Sequence, residues 1–124
     1  MDEVADALAG NFYIATTDGN QPHVRPFDNA VNYEGELYIG TNNTKKVYEQ
    51  IKNNPNVEIF SMEHGTIRFT AKAFPVEDEE LNKTIFELLD KNYDETSVAV
   101  ELKNIEGTLI STMGDKTNIK LNLL

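Results

Sequence analysis

Gly40-Thr41-Asn42-Asn43-Thr44-Lys45-Lys46 lies between two runs of different character. Before it, Glu36 to Ile39 reads as a strand. After it, Val47 to Asn53 carries Val47, Gln50 and Ile51 at helical spacing, with Tyr48 on a flank. A strand that turns directly into a helix leaves free backbone N–H groups at the turn, beside the positive end of the helix dipole. Both favour an anion. The two lysines occupy the first turn, where Asp or Glu would ordinarily complement the dipole. Two readings of Thr44, Lys45 and Lys46 stay open. One is a solvated helix start with Asn43 or Thr44 as N-cap. The other is a phosphate cradle, whose charge-assisted bonds, about 1.5–3 kcal/mol each, outweigh a dipole penalty of roughly 0.3–1 kcal/mol per lysine.

The rest of the composition narrows the setting. The chain has 124 residues, which fits one domain spanning 1–124, short enough to gain stability from dimerising. Its net charge of −10 argues against general nucleic-acid binding and against an anionic membrane surface. In so acidic a chain, basic residues that fall together need a local reason. Cysteine is absent, which excludes disulfide and thiol chemistry, and His23 and His64 alone cannot make a zinc site, so no metal is expected. No apolar run approaches membrane-spanning length, and Met1 is followed by Asp2 and Glu3 rather than a basic leader. The expectation is a cytoplasmic protein.

Outward from the central stretch, strand signals dominate. Phe12 to Thr17 is rich in aromatic and β-branched residues, and Asp18-Gly19-Asn20 signals a type I′ hairpin turn. Pro22 to Tyr33 reads as a longer strand interrupted near Pro26. Val57 to Met62 and Thr66 to Pro75 alternate as strands. Ser97 to Leu102, Gly107 to Thr112 and Thr117 to Leu121 follow, with a break around Asn104. Val4 to Leu8 is a short helix candidate. Glu77 to Lys91 is the clearest helix, with Leu81, Ile85, Leu88 and Leu89 as its stripe and four acidic residues opening it. Hairpin-ordered strands with inserted helices favour a mainly β fold, a closed antiparallel barrel with flanking helices.

Arg25 is the other basic residue of interest. It lies one hairpin before the cradle, in His23-Val24-Arg25-Pro26-Phe27-Asp28. It reads either as a strand arginine paired with a surface carboxylate, or as a second arm on the same anion, with Phe27 beside a flat ligand. Arg68 alternates with core residues and reads either as a cross-sheet ion pair or as a group reaching a partner chain. Tyr13, Tyr33, Tyr38 and Tyr48 read as core or interface.

Five segments in order carry a family likeness: Phe12-Tyr-Ile-Ala-Thr, Asp18-Gly-Asn-Gln-Pro, Val24-Arg-Pro-Phe, Leu37-Tyr-Ile-Gly-Thr-Asn-Asn-Thr-Lys-Lys-Val-Tyr and Asn54-Pro-Asn-Val-Glu. They resemble the pyridoxamine 5′-phosphate oxidase-like proteins, the FMN-binding split-barrel flavoproteins, from about Phe12 to Phe74. The resemblance implies a six-stranded antiparallel split β-barrel and a homodimer with FMN in a groove at the interface. It implies that Arg25, Pro26 and Phe27 line the flavin and its ribityl chain, that Thr41 and Asn42 run along the ribityl chain, and that Thr44, Lys45 and Lys46 hold the phosphate. It further implies a flavin-dependent oxidoreductase of a small organic substrate, working either by reduction, with a nicotinamide cofactor as one candidate electron donor, or by oxidation of a reduced substrate by oxygen. The namesake enzymes carry basic residues near the C-terminus for pyridoxamine phosphate. Here no arginine follows Arg68, so that particular activity is not expected. The alternative is a non-catalytic module that binds, stores or senses FMN or another planar ligand such as a deazaflavin or haem.

Overall fold

The structure is a computed structural model that describes residues 1–123; Leu124 lies outside the described residues. In chain order it has α1 (Asp2–Ala7), β1 (Asn11–Asp18), β2 (Gln21–Asp28), β3 (Val31–Tyr33), β4 (Glu36–Asn42), α2 (Lys46–Asn53), β5 (Asn56–Ser61), β6 (Thr66–Pro75), α3 (Glu79–Leu88), β7 (Ser97–Ile110) and β8 (Lys116–Leu121). The strands join into one antiparallel sheet in the order β2-β1-β5-β6-β7-β4-β3, with β8 also paired to β7.

The long strand β7 turns this sheet into a split barrel. Along one edge it pairs with β6. On the other, its first half (97–102) pairs with β4 and its second half (105–110) with β8. A bulge at the midpoint allows the two halves to diverge: the β6 register shifts between Thr70 and Lys72, and Asn104 opposite takes φ 55°. The strand break expected at Asn104 is therefore a bend within one strand. The mainly β antiparallel fold with flanking helices is as expected. Among the described residues its hydrogen-bonded strands number eight, against the six that the family resemblance implied.

Alternation in the strands sets the inside. Phe12 and Ile14, Leu37 and Ile39, Ile59, Ile67 and Phe69, Val100 and Leu102 are buried in one cluster, which α1 and α2 close with Val4, Leu8, Val47 and Ile51. Strands β4 and β7 are apolar on their other side too, where α3 packs Ile85, Phe86 and Leu89 against Tyr38 and Ala99. Leu88, assigned to the helix stripe from spacing, is half exposed, and Phe86 takes its place. Asp78 caps α3 by accepting hydrogen bonds from the N–H groups of Glu80 (2.9 Å) and Leu81 (3.3 Å). Asp90 at φ 56° ends it earlier than the sequence pattern suggested.

Two local expectations change. The β1–β2 loop is Gly19-Asn20, with positive φ at Gly19 alone, so the turn is type II′ rather than I′. Strand β2 also runs unbroken through Pro26. It is the terminal strand of the sheet, where only one edge is hydrogen-bonded and a missing N–H is tolerated. The interruption falls instead at Asn29, with φ 59°.

Candidate functional site

Strand β4 delivers the chain to the cradle and ends at Asn42. The Asn43 N–H donates to the Thr96 carbonyl (2.8 Å), and the Lys45 N–H folds back onto the Asn42 carbonyl (3.1 Å). That closed turn moves the cap to Lys45, which is extended (φ −90°, ψ 149°), and α2 begins at Lys46. Neither Asn43 nor Thr44 is the N-cap, as one reading had it. Lys45 offers no acceptor, so α2 has no side-chain cap. Asn43, Thr44, Lys45 and Lys46 are all exposed. By contrast α3 is capped by Asp78 and opened by Glu79 and Glu80, whereas in α2 the first acidic residue, Glu49, comes only behind the two lysines. The start of α2 presents donors and positive charge to solvent.

A second loop braces this turn. The Thr96 N–H and hydroxyl both donate to Asp94 Oδ1 (2.8 and 2.6 Å), and the Asp94 N–H donates to Ser97 Oγ (2.9 Å). These bonds hold the Asp94 carboxyl below the usual carboxylate range. They also fix the Thr96 carbonyl that receives Asn43.

Gly40 is a strand residue, not a turn residue. A Cβ there would lie 3.2 Å from both Leu89 Cδ1 and Phe86 Cζ, so it is glycine because α3 packs directly over β4. Thr41 points the other way, with the core residues Leu37 and Ile39 on its face of β4. It is 4% exposed, and among the described residues its hydroxyl has no hydrogen-bond partner. A buried hydroxyl without a partner is uncommon, and this one lies directly before the doubly basic start of α2. Val98, its cross-strand partner, lines a groove of about 450 Å3 that runs along α2 past Tyr48, Ile51 and Phe74.

Arg25 reaches α2 from the sheet edge. Its Nη1 donates to Thr16 Oγ1 (2.7 Å) and its Nη2 to Gln50 Oε1 (2.9 Å), while the Thr16 hydroxyl donates to the same Gln50 oxygen (2.6 Å). Among the described residues Arg25 has no carboxylate partner, so the surface ion pair expected on one reading does not form. Burial lowers its pKa from the ordinary guanidinium value. Gln50 lies four residues after Lys46, on the same stripe of α2 and about one 5.4 Å turn away. Arg25 and Lys46 therefore flank one short length of helix.

The remaining candidates divide by face. His23, Arg25 and Phe27 alternate onto the half-buried side of β2, and Pro26 lies on its exposed side, away from Arg25. Phe27 packs its ring on Phe12, with centroids 5.9 Å apart, so it edges the core beside Arg25. Arg68 resolves toward a cross-sheet contact: it lies over the Phe60 ring (5.2 Å) and pairs with Glu58 (3.8 Å) on the outer face. Thr16 and Gln50 are the residues that sequence reasoning left out of the site. A glutamine on the apolar stripe of α2, and a threonine at the third inward position of β1, were the available signals. Among the described residues, no three His, Asp or Glu side chains converge to hold a metal, and no helix is long and apolar enough to cross a membrane.

Comparison with known proteins adds to this geometry. The family described as pyridoxamine 5′-phosphate oxidase matches residues 2–112. Among curated proteins none matches significantly. A NimC/NimA family protein from Clostridium acetobutylicum is 36% identical over 96% of this chain and 93% of its own, with TM-score 0.80. An FAD-binding protein from Mesorhizobium loti is 16% identical over 81% of this chain and 84% of its own, with TM-score 0.64. The haem storage protein HutZ from Vibrio cholerae is 17% identical over 82% and 87%, with TM-score 0.58. The last two likenesses concern the fold alone.

Proposed function

Because the chain belongs to the pyridoxamine 5′-phosphate oxidase family, we propose that it is a flavoprotein that holds FMN by its phosphate at the start of α2 and acts as an oxidoreductase on a small organic molecule. The observation that carries the proposal is the uncapped, doubly basic start of α2, with Gln50 one turn further along holding an arginine that has no carboxylate partner among the described residues. Thr44, Lys45, Lys46 and the first N–H groups of α2 would take the phosphate, with Arg25 as a further cationic arm. Thr41 and Asn42 would follow the ribityl chain, and the orphan Thr41 hydroxyl fits a ribityl oxygen. Phe27 would border the ring system. Bound flavin supplies hydride or electron transfer. The protein's part is to orient it and to place charge at its phosphate end.

The same reading makes the protein a cytoplasmic homodimer with the cofactor between protomers. What supports the dimer is the outer sheet face, where Tyr13, Val24 and Met62 are 49%, 70% and 69% exposed. Pro26, on that same face, would then meet the partner rather than this chain's Arg25.

The test is direct. Purified protein should show flavin absorbance, or quench the fluorescence of added FMN and take it up stoichiometrically. Colourless protein that leaves added FMN fully fluorescent would overturn the assignment. Anaerobic reduction of the bound flavin by a nicotinamide donor distinguishes an oxidoreductase from a module that only stores or senses its ligand.

A further inference from the structure

The two arginines of the chain are held differently. Arg68 is exposed and has a carboxylate, Glu58. Arg25 is half-buried and has none among the described residues; its seat consists of two neutral oxygens, Thr16 Oγ1 and Gln50 Oε1. Acidic residues number 21 against 11 basic ones. A half-buried guanidinium in such a chain would ordinarily be matched with a carboxylate, because partial desolvation of an unpaired charge is costly. Gln50 is where that match would be made. It is 7% exposed, its amide oxygen touches Nη2, and glutamate has the same shape. The chain thus carries an amide where a carboxylate would stabilise the fold, the pattern expected when charge is reserved for a ligand.

The three side chains form a closed ring, and Thr16 sets its polarity. Its oxygen accepts from Arg25 Nη1, so its own proton goes to Gln50 Oε1, and two donors converge on that oxygen. The amide must therefore present oxygen to the guanidinium. The ring fixes the guanidinium plane, leaves its other N–H donors uncommitted among the described residues, and ties it to Gln50, one helical turn after Lys46.

We propose that Thr16 and Gln50 are positioning residues that hold Arg25 with its charge uncompensated, so that the site selects a phosphate-bearing ligand over its unphosphorylated form. The identity of that ligand as FMN rests on the function proposed above; the selection for the phosphate does not.

The experiment measures FMN and riboflavin affinity by fluorescence, and melting temperature with and without inorganic phosphate. It compares the native protein with Gln50→Glu, Thr16→Val and Thr16→Ser. Gln50→Glu keeps the hydrogen bonds to Arg25 and adds the missing counter-charge. It should melt no lower than the native protein without ligand, weaken FMN by about tenfold or more, and leave riboflavin within about twofold. Thr16→Val should show a smaller loss of the same kind, and Thr16→Ser, which keeps the hydroxyl, should retain native preference. Inorganic phosphate should raise the native melting temperature and fail to raise that of Gln50→Glu. If Gln50→Glu weakens both flavins equally, or retains the full preference for FMN, the neutral seat has no such role. If the native protein binds neither flavin, the assignment of FMN fails. The seat then stands only on a phosphate shift that Gln50→Glu abolishes, and without that shift it is overturned.

Discussion

Lys46→Glu and Lys52→Glu change the net charge identically, from −10 to −12, yet should move stability in opposite directions, and only the first should weaken FMN. Lys46 is the first residue of α2, against the positive end of the dipole, with no cap nearby. Replacing it by glutamate removes an unfavourable charge and adds a favourable one, each about 0.3–1 kcal/mol. The site is exposed, so the low end applies and the unliganded protein should gain about 0.5–1 kcal/mol. Ligand binding should move the other way. Loss of one charge-assisted bond to phosphate, about 1.5–3 kcal/mol, corresponds to roughly ten- to 150-fold weaker FMN. Lys52 sits in the last turn of α2, where its charge suits the dipole, and its ammonium lies 5.2 Å from the Tyr48 ring centroid. Lys52→Glu should cost about 1 kcal/mol of stability, from the dipole and the lost cation–π contact, and leave FMN affinity nearly unchanged. Urea unfolding of both unliganded variants, paired with FMN titration at fixed ionic strength, gives all four numbers. If both substitutions destabilise, the start of α2 is not the electrostatically frustrated end of the helix. If both weaken FMN alike, only overall charge matters and the cradle is misplaced.

Three further outcomes test the scaffold. Gly107→Ala would set its Cβ 2.0 Å from the Arg68 carbonyl oxygen and 2.5 Å from Phe69 Cα, both backbone, so it should lose about 3 kcal/mol or more in urea unfolding; native-like stability would show that β6 and β7 pack less tightly there. Asn82 fastens α3 to the sheet, donating to the Val76 carbonyl (3.0 Å) and accepting from the Ala99 N–H (2.7 Å), so Asn82→Leu should cost about 2–4 kcal/mol and speed amide exchange at Ala99. Burial, helped by the hydrogen bond to Glu101 (3.0 Å), pushes the Tyr38 phenol far above its usual range. Above about pH 10 the unfolded chain therefore releases a proton that the folded chain keeps, and stability falls as pH rises. Among the five tyrosines, one should resist ionisation until the protein unfolds, and Tyr38→Phe should remove that late step in an ultraviolet titration and flatten the alkaline decline.

Where an element is governed by its own residues, it was legible in the sequence. The alternation Val57, Ile59, Ser61 and Ile67, Phe69, Ala71, Ala73 marks the buried sides of β5 and β6, because a strand's period of two needs no outside information. The same holds for the acidic start of α3 and for the lysine pair opening α2. What depends on a neighbour was misread. Gly40 looked like a turn glycine and is shaped by Phe86 and Leu89, more than forty residues away in sequence. Asn104 looked like a strand end and is a bulge, because β6 stays paired on one edge while β4 hands over to β8 on the other.

The candidate site divides along the same line. Sequence alone determined that Thr44-Lys45-Lys46 opens a helix directly after a strand, since local hydrogen-bond geometry and the dipole follow from consecutive residues. It also supplied Arg25, but with a carboxylate partner and a ligand-facing surface both open. Tertiary structure alone showed that no carboxylate among the described residues meets it. The antiparallel pairing of β1 with β2 brings Thr16 near Arg25 on the inward face, and packing of α2 lays Gln50 across both. Whether a charge is neutralised depends on which side chains lie within hydrogen-bond reach, and reach is set by strand register and helix docking rather than by spacing along the chain.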